Sequence, residues 1–246
     1  WINNWPVRSD LLKIPEFGEY HRGACARAAE LGYVIEEFWL HARGMTPERL
    51  RRVLRARGIQ AMIMAPQPKQ GMWLDFDYGE FSALSLGYSL HPPRLHVVTN
   101  HHAHSMNLLI ARLYELGYRR IGMYVDMDWD AKVGHSWLSS FLLARWLHPE
   151  LADLPPVLET AREGNELKGW LEKHRPEVVI SYSRILAQMK AMKLRIPQDI
   201  GVARLDLLED SGTASGIYQN SVAIGRKAVD FLVDMVHRGE RGLRDI

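Results

Sequence analysis

Apolar positions along the chain switch repeatedly between the 3.6-residue period of an amphipathic helix and short β-branched or continuous apolar runs. The opening Trp1-Ile-Asn has the look of a strand's tail. Phe17, Tyr20, Ala24, Ala28 and Leu31 then recur at helical spacing, and Gly32 supplies the stop. Tyr33–Leu40 (YVIEEFWL) is β-branched and aromatic and predicts a strand. In MTPERLRRVLRARG, Thr46 as N-cap, Pro47 at the first helical position, Glu48 in the first turn and Gly58 at the end predict a helix. Ile59–Ala65 reads as a buried strand ending in the loop PQPKQG, and Phe81–Gly87 gives a weaker signal before the strand Leu95–Thr99.

The remainder repeats the alternation. Helices are expected at Ser105–Leu116, Ser136–Trp146, Glu163–His174, Ile185–Lys193 and Ser221–His237. Strands are expected at Arg120–Val125, Pro156–Glu159, Glu177–Ser181 and Gly201–Leu205. No fixed-period repeat and no low-complexity linker interrupts the pattern. Strand–helix alternation of this kind implies crossover units and parallel sheets covered by helices on both faces. Roughly nine strands over this length fit an α/β protein of two three-layer α/β/α lobes better than one sheet. Ligands in such sheets bind beyond the carboxyl ends of the strands, so two lobes imply a ligand cleft between them.

Composition narrows the class. The chain has 246 residues, is 47% hydrophobic and 24% charged, and carries a net charge of +2. That balance is unlike a domain built to grip nucleic acid, which would be visibly basic. No stretch approaches the ~18–20 apolar residues of a membrane span, so no membrane partner is expected. Cys25 is the only cysteine, which excludes an internal disulfide framework and fits a reducing compartment. The start at Trp1 has neither an initiator Met nor a signal peptide, and a start inside a strand implies residues upstream.

Candidate chemistry follows from position. The signatures G-x-S-x-G, H-E-x-x-H, G-x-x-x-x-G-K-[ST] and a post-strand G-x-G-x-x-G are absent, so an enzyme is not expected. Cys25 lies on the apolar face of its helix and reads as a small core residue. Asp126, Asp128 and Asp130 in VDMDWD follow a strand end, which suits ligand hydrogen bonding or a solvated acidic loop equally. In PERLRRVLRARG, Leu50, Val53 and Leu54 face the sheet while Arg49, Arg52 and Arg55 point outward. Without interleaved aromatics this is a solvated helix face or a dimer surface rather than a nucleic-acid site. Of the eight tryptophans, Trp39 and Trp146 read as packing. Trp5 (with Arg8 in the same loop), Trp73, Trp129 and Trp137 lie in or beside loops at strand ends, where flat aromatic faces stack on rings.

Three segments carry a family resemblance. Leu113–Met123, LYELGYRRIGM, resembles the L-x-x-L-G-H-R-R-I of LacI/GalR-type transcriptional regulators. Arg195–Asp206, RIPQDIGVARLD, resembles their V-P-x-D-I-S-V-V-G-F-D. Ile217–Ala228, IYQNSVAIGRKA, resembles T-V-x-Q-x-x-x-x-I-G-x-x-A. Order and spacing match as well. The resemblance implies the effector-binding core of that family, with a periplasmic-binding-protein-like type I fold. It also implies a cytoplasmic homodimer that senses a small polar effector, a carbohydrate among the candidates, and needs no cofactor. Operator DNA would be reached only through an N-terminal helix-turn-helix head outside this chain. The first lobe would comprise 1–117 with 219–240, and the second 118–218 with 241–246.

The same resemblance nominates site residues. Asp206 matches the acidic residue that bonds ligand hydroxyls, and Tyr218 and Gln219 fall where the chain returns to the first lobe. Tyr182 and Ser183 stand where the family has an Asn-Asp pair. Its pocket arginine is missing, and Lys132, Gly134 and His135 occupy that region. His96, His101, His102 and His104 crowd into nine residues, HVVTNHHAH. With no Cys or carboxylate close in sequence they make a poor zinc site and read as a pocket edge, with Asn100, His101 or His104 as the ligand contact. A helix-capping role is the other reading. An extracytoplasmic solute receptor of the same fold, and an enzyme on a doubly wound scaffold, stand as rivals.

Overall fold

Strand order is the feature that organises both halves of the chain. The computed structural model describes residues 1–72, 74–91, 95–159, 166–209, 212 and 214–243. By contact density the chain divides into unit 1, Trp1–Asn100 with Asn220–Ile246, and unit 2, His101–Gln219. The helix after His101 therefore groups with the second unit and the tail after residue 240 with the first, where the resemblance had the reverse.

Unit 1 contains β1 (Ile2–Asn3), α1 (Asp10–Lys13), α2 (Pro15–Glu30), β2 (Phe38–Trp39), α3 (Pro47–Ala56), β3 (Ala61–Met64), β4 (Ser82–Leu86) and β5 (His96–Val98), and the later α9 (Ser221–His237) returns to it. Its five strands run parallel in the order β2-β1-β3-β4-β5. On one face, Leu50 and Leu54 of α3 pack with Ile2, Met62, Met64, Phe81 and Ala83. Thr46 caps α3 by accepting from the Arg49 backbone N–H, as its sequence predicts. The expected strand over 33–40 shrinks to Phe38–Trp39. It lies at the sheet edge, and Tyr33 and Val34 are exposed rather than paired.

The α2–α9 pair of unit 1 is unusually close. A Cβ on Gly23 would lie 2.1 Å from the Val222 carbonyl oxygen, and one on Gly225 2.0 Å from that of Tyr20. Only glycine permits this backbone contact. Ion pairs Arg27–Asp230 (2.5 Å) and Arg226–Glu30 (2.7 Å) flank it. Cys25, expected in the core, is half-buried on α2 with its Sγ 3.6 Å from His21 Nε2.

Unit 2 contains α4 (His102–Glu115), β6 (Ile121–Asp126), α5 (Met127–Lys132), α6 (Ser136–Leu147), β7 (Val157–Glu159), α7 (Glu166–His174), β8 (Val178–Ser181), α8 (Arg184–Ala191), β9 (Gly201–Leu207) and β10 (Ser215–Tyr218). All five strands are parallel, in the order β7-β6-β8-β9-β10. One face packs on α4 and α6 through Met106, Leu109, Phe141, Met123, Ile180 and Leu205. The other packs on α7 and α8 through Tyr124, Leu167, Trp170, Val179, Ile185 and Met189. Each unit is thus a parallel α/β sheet with the same doubly wound order. Among the described residues no helix is long and apolar enough to cross a membrane.

Two expectations are corrected here. VDMDWD is not a loop. Asp126 caps α5 by accepting from the backbone N–H groups of Asp128 and Trp129, and further aspartates in the first turn suit the helix dipole. Trp146, read as packing, is 79% exposed, because the sheet-facing stripe of α6 is Trp137, Ser140, Phe141 and Ala144.

Candidate functional site

In a doubly wound sheet the point where strand order reverses leaves a crevice beyond the carboxyl ends. In unit 2 that point lies between β6 and β8, and several nominated residues meet there. Asp206 is the next-to-last residue of β9 and is 8% exposed. Its Oδ2 accepts from the Ser183 backbone N–H (2.8 Å), and its Oδ1 accepts from Arg204 Nε (2.8 Å). Both side chains of the Arg204–Asp206 pair are 11% exposed. Each carboxylate oxygen keeps a second lone pair, so Asp206 can still accept from a ligand, but as half of an ion pair. Arg204 is a residue that sequence reasoning passed over. Its signal was the two-residue spacing from Asp206, which puts both on one face of a strand.

Tyr182 connects this pair to β6. Its hydroxyl accepts from the Asp126 backbone N–H (3.0 Å), and its ring centroid is 6.5 Å from that of Trp129. Burial, with the Asp126 carboxylate behind it, holds the phenol well above its ordinary pKa. Lys132 Nζ lies 4.4 Å over the Trp129 ring. Burial lowers its pKa to about 8, against the opposing pull of Asp128 and Asp126. Lys132, Trp129, Tyr182, Ser183 and Asp206 are therefore linked contact by contact. Tyr218 ends β10 with 48% exposure, and Gln219 donates from Nε2 to the Leu205 carbonyl.

Beside them lies a group the sequence did not single out. Glu159 at the end of β7 is 5% exposed, and Arg184 on α8 approaches both Asp126 (3.7 Å) and Glu159 (4.0 Å). Tyr124, two residues before Asp126 and so on the same face of β6, accepts from Gln188 Nε2 at 2.8 Å. Its phenol is pushed up to about 12 by burial, with the Glu159 carboxylate adding to it and the Gln188 amide opposing.

The histidine segment is dispersed. His101 is the N-cap of α4, its Nδ1 accepting from the His104 backbone N–H (3.2 Å); both rings are exposed and 5.7 Å apart. His102 is buried edge-on against Trp137 (5.7 Å), and burial lowers its pKa to about 4. Trp137, expected at a ligand face, is 5% exposed within the unit 2 core, because its helical position points at the sheet. His135 Nδ1 lies 3.0 Å from Asp130 Oδ2, and Asp130 Oδ1 accepts from the Leu138 backbone N–H. Among the described residues no group of three or more His, Cys, Asp or Glu side chains could hold a metal ion.

In unit 1 the reversal falls between β1 and β3. Its polar groups there are largely turned on one another. Asn4 Nδ2 donates to Gln67 Oε1 (2.9 Å), and the Gln67 backbone N–H donates to Ser89 Oγ (2.8 Å). Trp5 Nε1 donates to the Pro66 carbonyl (2.8 Å). Asn3 Nδ2 and Arg8 both donate to the Glu37 carboxylate. Asn100, 8% exposed, accepts from the Tyr20 hydroxyl at 2.8 Å. Of the nominated residues, Trp5, Arg8 and Asn100 belong to this unit, whereas Trp73 lies outside the described residues. His96, also here, pairs with Glu240 and packs edge-on against Phe231. An apolar cavity of about 320 Å³, lined by Trp1, Val34, Phe38, Leu54, Val229 and Val233, opens in the same unit but holds none of these polar groups.

Comparison with known proteins places the fold. A LacI family transcriptional regulator from Silicibacter pomeroyi superposes with a TM-score of 0.63 at 15% identity, over 96% of this chain and 92% of that one. A transcription regulator like protein from Staphylococcus haemolyticus gives 0.70 at 16% identity, over 99% and 91%. The lac repressor dimer, in a structure bound to operator and the anti-inducer ONPF, gives 0.67 at 15% identity, over 98% and 76%. No curated protein matches the chain. The family model described as a periplasmic binding protein-like domain matches residues 110–244, more than half of the chain, and the chain belongs to that family.

Proposed function

We propose that this chain is the small-molecule-sensing and dimerising core of a cytoplasmic LacI/GalR-type transcriptional regulator, acting on operator DNA through an N-terminal head outside this chain. The observation that supports this reading is where the three resembling motifs fall. LYELGYRRIGM joins α4 to β6, RIPQDIGVARLD runs along β9 into Asp206, and IYQNSVAIGRKA carries the chain from β10 into α9, back to unit 1. The third motif carries the chain's crossing between units and includes the nominated Tyr218 and Gln219.

A small polar effector, carbohydrates among the candidates, binds at Lys132, Trp129, Tyr182, Ser183, Asp206, Tyr218 and Gln219 of unit 2, and Trp5, Arg8 and Asn100 are the candidate contacts within unit 1. The effector favours one arrangement of the two units, which in a homodimer resets the spacing of the heads. Shifting an equilibrium from 1:99 to 99:1 takes about 5.5 kcal/mol of differential binding, within reach of a few polar contacts and a stacked ring.

The test is a thermal-shift screen against mono- and disaccharides, sugar acids, sugar phosphates and nucleobases, repeated on Asp206→Ala. A ligand at ~100 times its Kd adds ~2.7 kcal/mol to stability. The expected result is a hit that Asp206→Ala loses while still unfolding cooperatively. A hit that Asp206→Ala binds as well as the parent protein sinks the site, and silence across all classes sinks the sensing role.

A further inference from the structure

The group around Glu159 differs from the pair at Asp206 in one respect: among the described residues no cation comes within hydrogen-bond range of its buried carboxylate. Asp126 and Glu159 are register partners on the adjacent parallel strands β6 and β7, so their side chains leave the sheet on the same face, roughly 4.8 Å apart at the backbone. That is the face of Tyr124, Val157 and Val179, and strand alternation puts Ser181 of β8 on it too. Glu159's side chain is 6% exposed and Asp126's 22%. The Tyr124 hydroxyl is the neutral partner of the Glu159 carboxylate, and the buried Ser181 Oγ and Gln188 Oε1 have no hydrogen-bond partner among the described residues.

A buried carboxylate that no cation bonds is costly, and native proteins keep such groups only where something compensates them. Arg184 does so incompletely. At 3.7 and 4.0 Å its guanidinium is outside hydrogen-bond range of both carboxylates, and its side chain is 47% exposed at the mouth of the group. What the group lacks is donors carrying positive charge.

The geometry points to a seat for a primary ammonium group of the effector, held between Asp126 and Glu159 with Ser181 and Gln188 as further acceptors. An ammonium brings three donors and one positive charge to these oxygens, whereas a hydroxyl brings a single neutral donor. A metal ion fits less well, since no three His, Cys, Asp or Glu side chains among the described residues converge to ligate one. This rests on the effector-sensing reading and narrows it, from polar molecules in general to those carrying an amine. Arg184 guards the seat as a resident cation that the amine displaces outward.

The experiment compares matched probes by thermal unfolding at pH 7: D-glucosamine against D-glucose, and putrescine against 1,4-butanediol. An amine is expected to raise the Tm while its neutral twin does not. Glu159→Gln should weaken amine binding at least tenfold, and should raise the Tm of the ligand-free protein by removing a buried charge that no cation bonds. Arg184→Ala, on an exposed side chain, should tighten amine binding severalfold. Equal shifts from amine and neutral twin overturn the ammonium seat and leave effector sensing standing. No shift from either amine overturns the seat whatever the sugars do. A lowered Tm for ligand-free Glu159→Gln also overturns it, since the carboxylate would then be a paired structural group.

Discussion

Arg204 stands two residues before Asp206 on the same face of β9 and ties up one carboxylate oxygen through its Nε at 2.8 Å, with Nη2 reaching the Asp206 carbonyl at 3.1 Å. The acidic residue nominated as the ligand's partner therefore has an internal counter-ion. Ser183, whose backbone N–H binds the other oxygen, lies at the start of α8. A single carboxylate thus holds the β9 end and the α8 start together.

Removing one partner of so buried a pair strands the other. Arg204→Met is expected to cost about 3 kcal/mol, read as a fall in the urea midpoint at unchanged slope. Adding Asp206→Asn should cost clearly less than the sum of the two single changes, because no unpaired charge then remains. Strict additivity would show that the pair is not coupled.

The α2–α9 contact gives a sharper contrast. Gly225→Ala must push a methyl into the Tyr20 carbonyl, 2.0 Å from where it would sit, and should destabilise by about 3 kcal/mol. Gly169→Ala, in α7 with nothing within 4 Å of the added carbon, should stabilise by about 0.5–1 kcal/mol through helix propensity alone. Thermal unfolding of the two variants side by side checks both signs.

Legibility followed local determinants. Helix α9 runs over Ser221–His237 as its period predicts, and α3 starts where Thr46 and Pro47 direct it. The α/β class with two sheets was readable because buried parallel strands leave continuous apolar runs. Strand β4 read weakly because both its faces are covered and two of its five buried residues are serines. Helices α1 and α5 and strand β10 were missed: at four to six residues they carry too few positions to show a period.

The candidate site divides in the same way. Lys132, Trp129, Tyr182, Ser183 and Asp206 were reached because they follow strand ends or match a family motif. Glu159 and Arg204 were not, since their meaning lies in the register of β7 on β6 and the face of β9, and neither is visible in one strand's sequence. Trp137 shows the converse error. Proximity to a loop put it near a ligand, while its helical phase sends it into the core.

Lys132 makes stability depend on pH in a definite direction. Its folded pKa of about 8 lies below the ordinary lysine value of 10.5, with burial as the leading cause. Between those two values the unfolded chain binds the proton more than the folded one, so stability rises with pH across that window. Below about pH 8 the buried charge imposes its full cost. Lys132→Met is therefore expected to gain about 1–2 kcal/mol at pH 7, a gain that vanishes by pH 10.5. A loss at pH 7 would mean that contact with Trp129, Asp126 and Asp128 outweighs burial.

Asp130 is wholly buried, yet its roles are local. Its Oδ1 accepts from the Leu138 backbone N–H in the first turn of α6 (3.1 Å), its Oδ2 meets His135 Nδ1 (3.0 Å), and its carbonyl accepts from the His135 backbone N–H (2.8 Å). His135 itself sits at the N-cap with φ +56° and offers no side-chain cap, so the carboxylate five residues earlier does that work. Asp130→Ala leaves a buried N–H unpaired and removes a charge from the helix start, at a cost of about 2–3 kcal/mol. Asp130→Asn keeps the acceptor for Leu138 and should cost about half as much. His135→Ala should cost least, about 0–1 kcal/mol, since its side chain is 56% exposed and the Leu138 cap stays in place. Urea unfolding of the three variants ranks them. If His135→Ala proves as costly as Asp130→Ala, the histidine pair rather than the helix cap is what holds α6 in place.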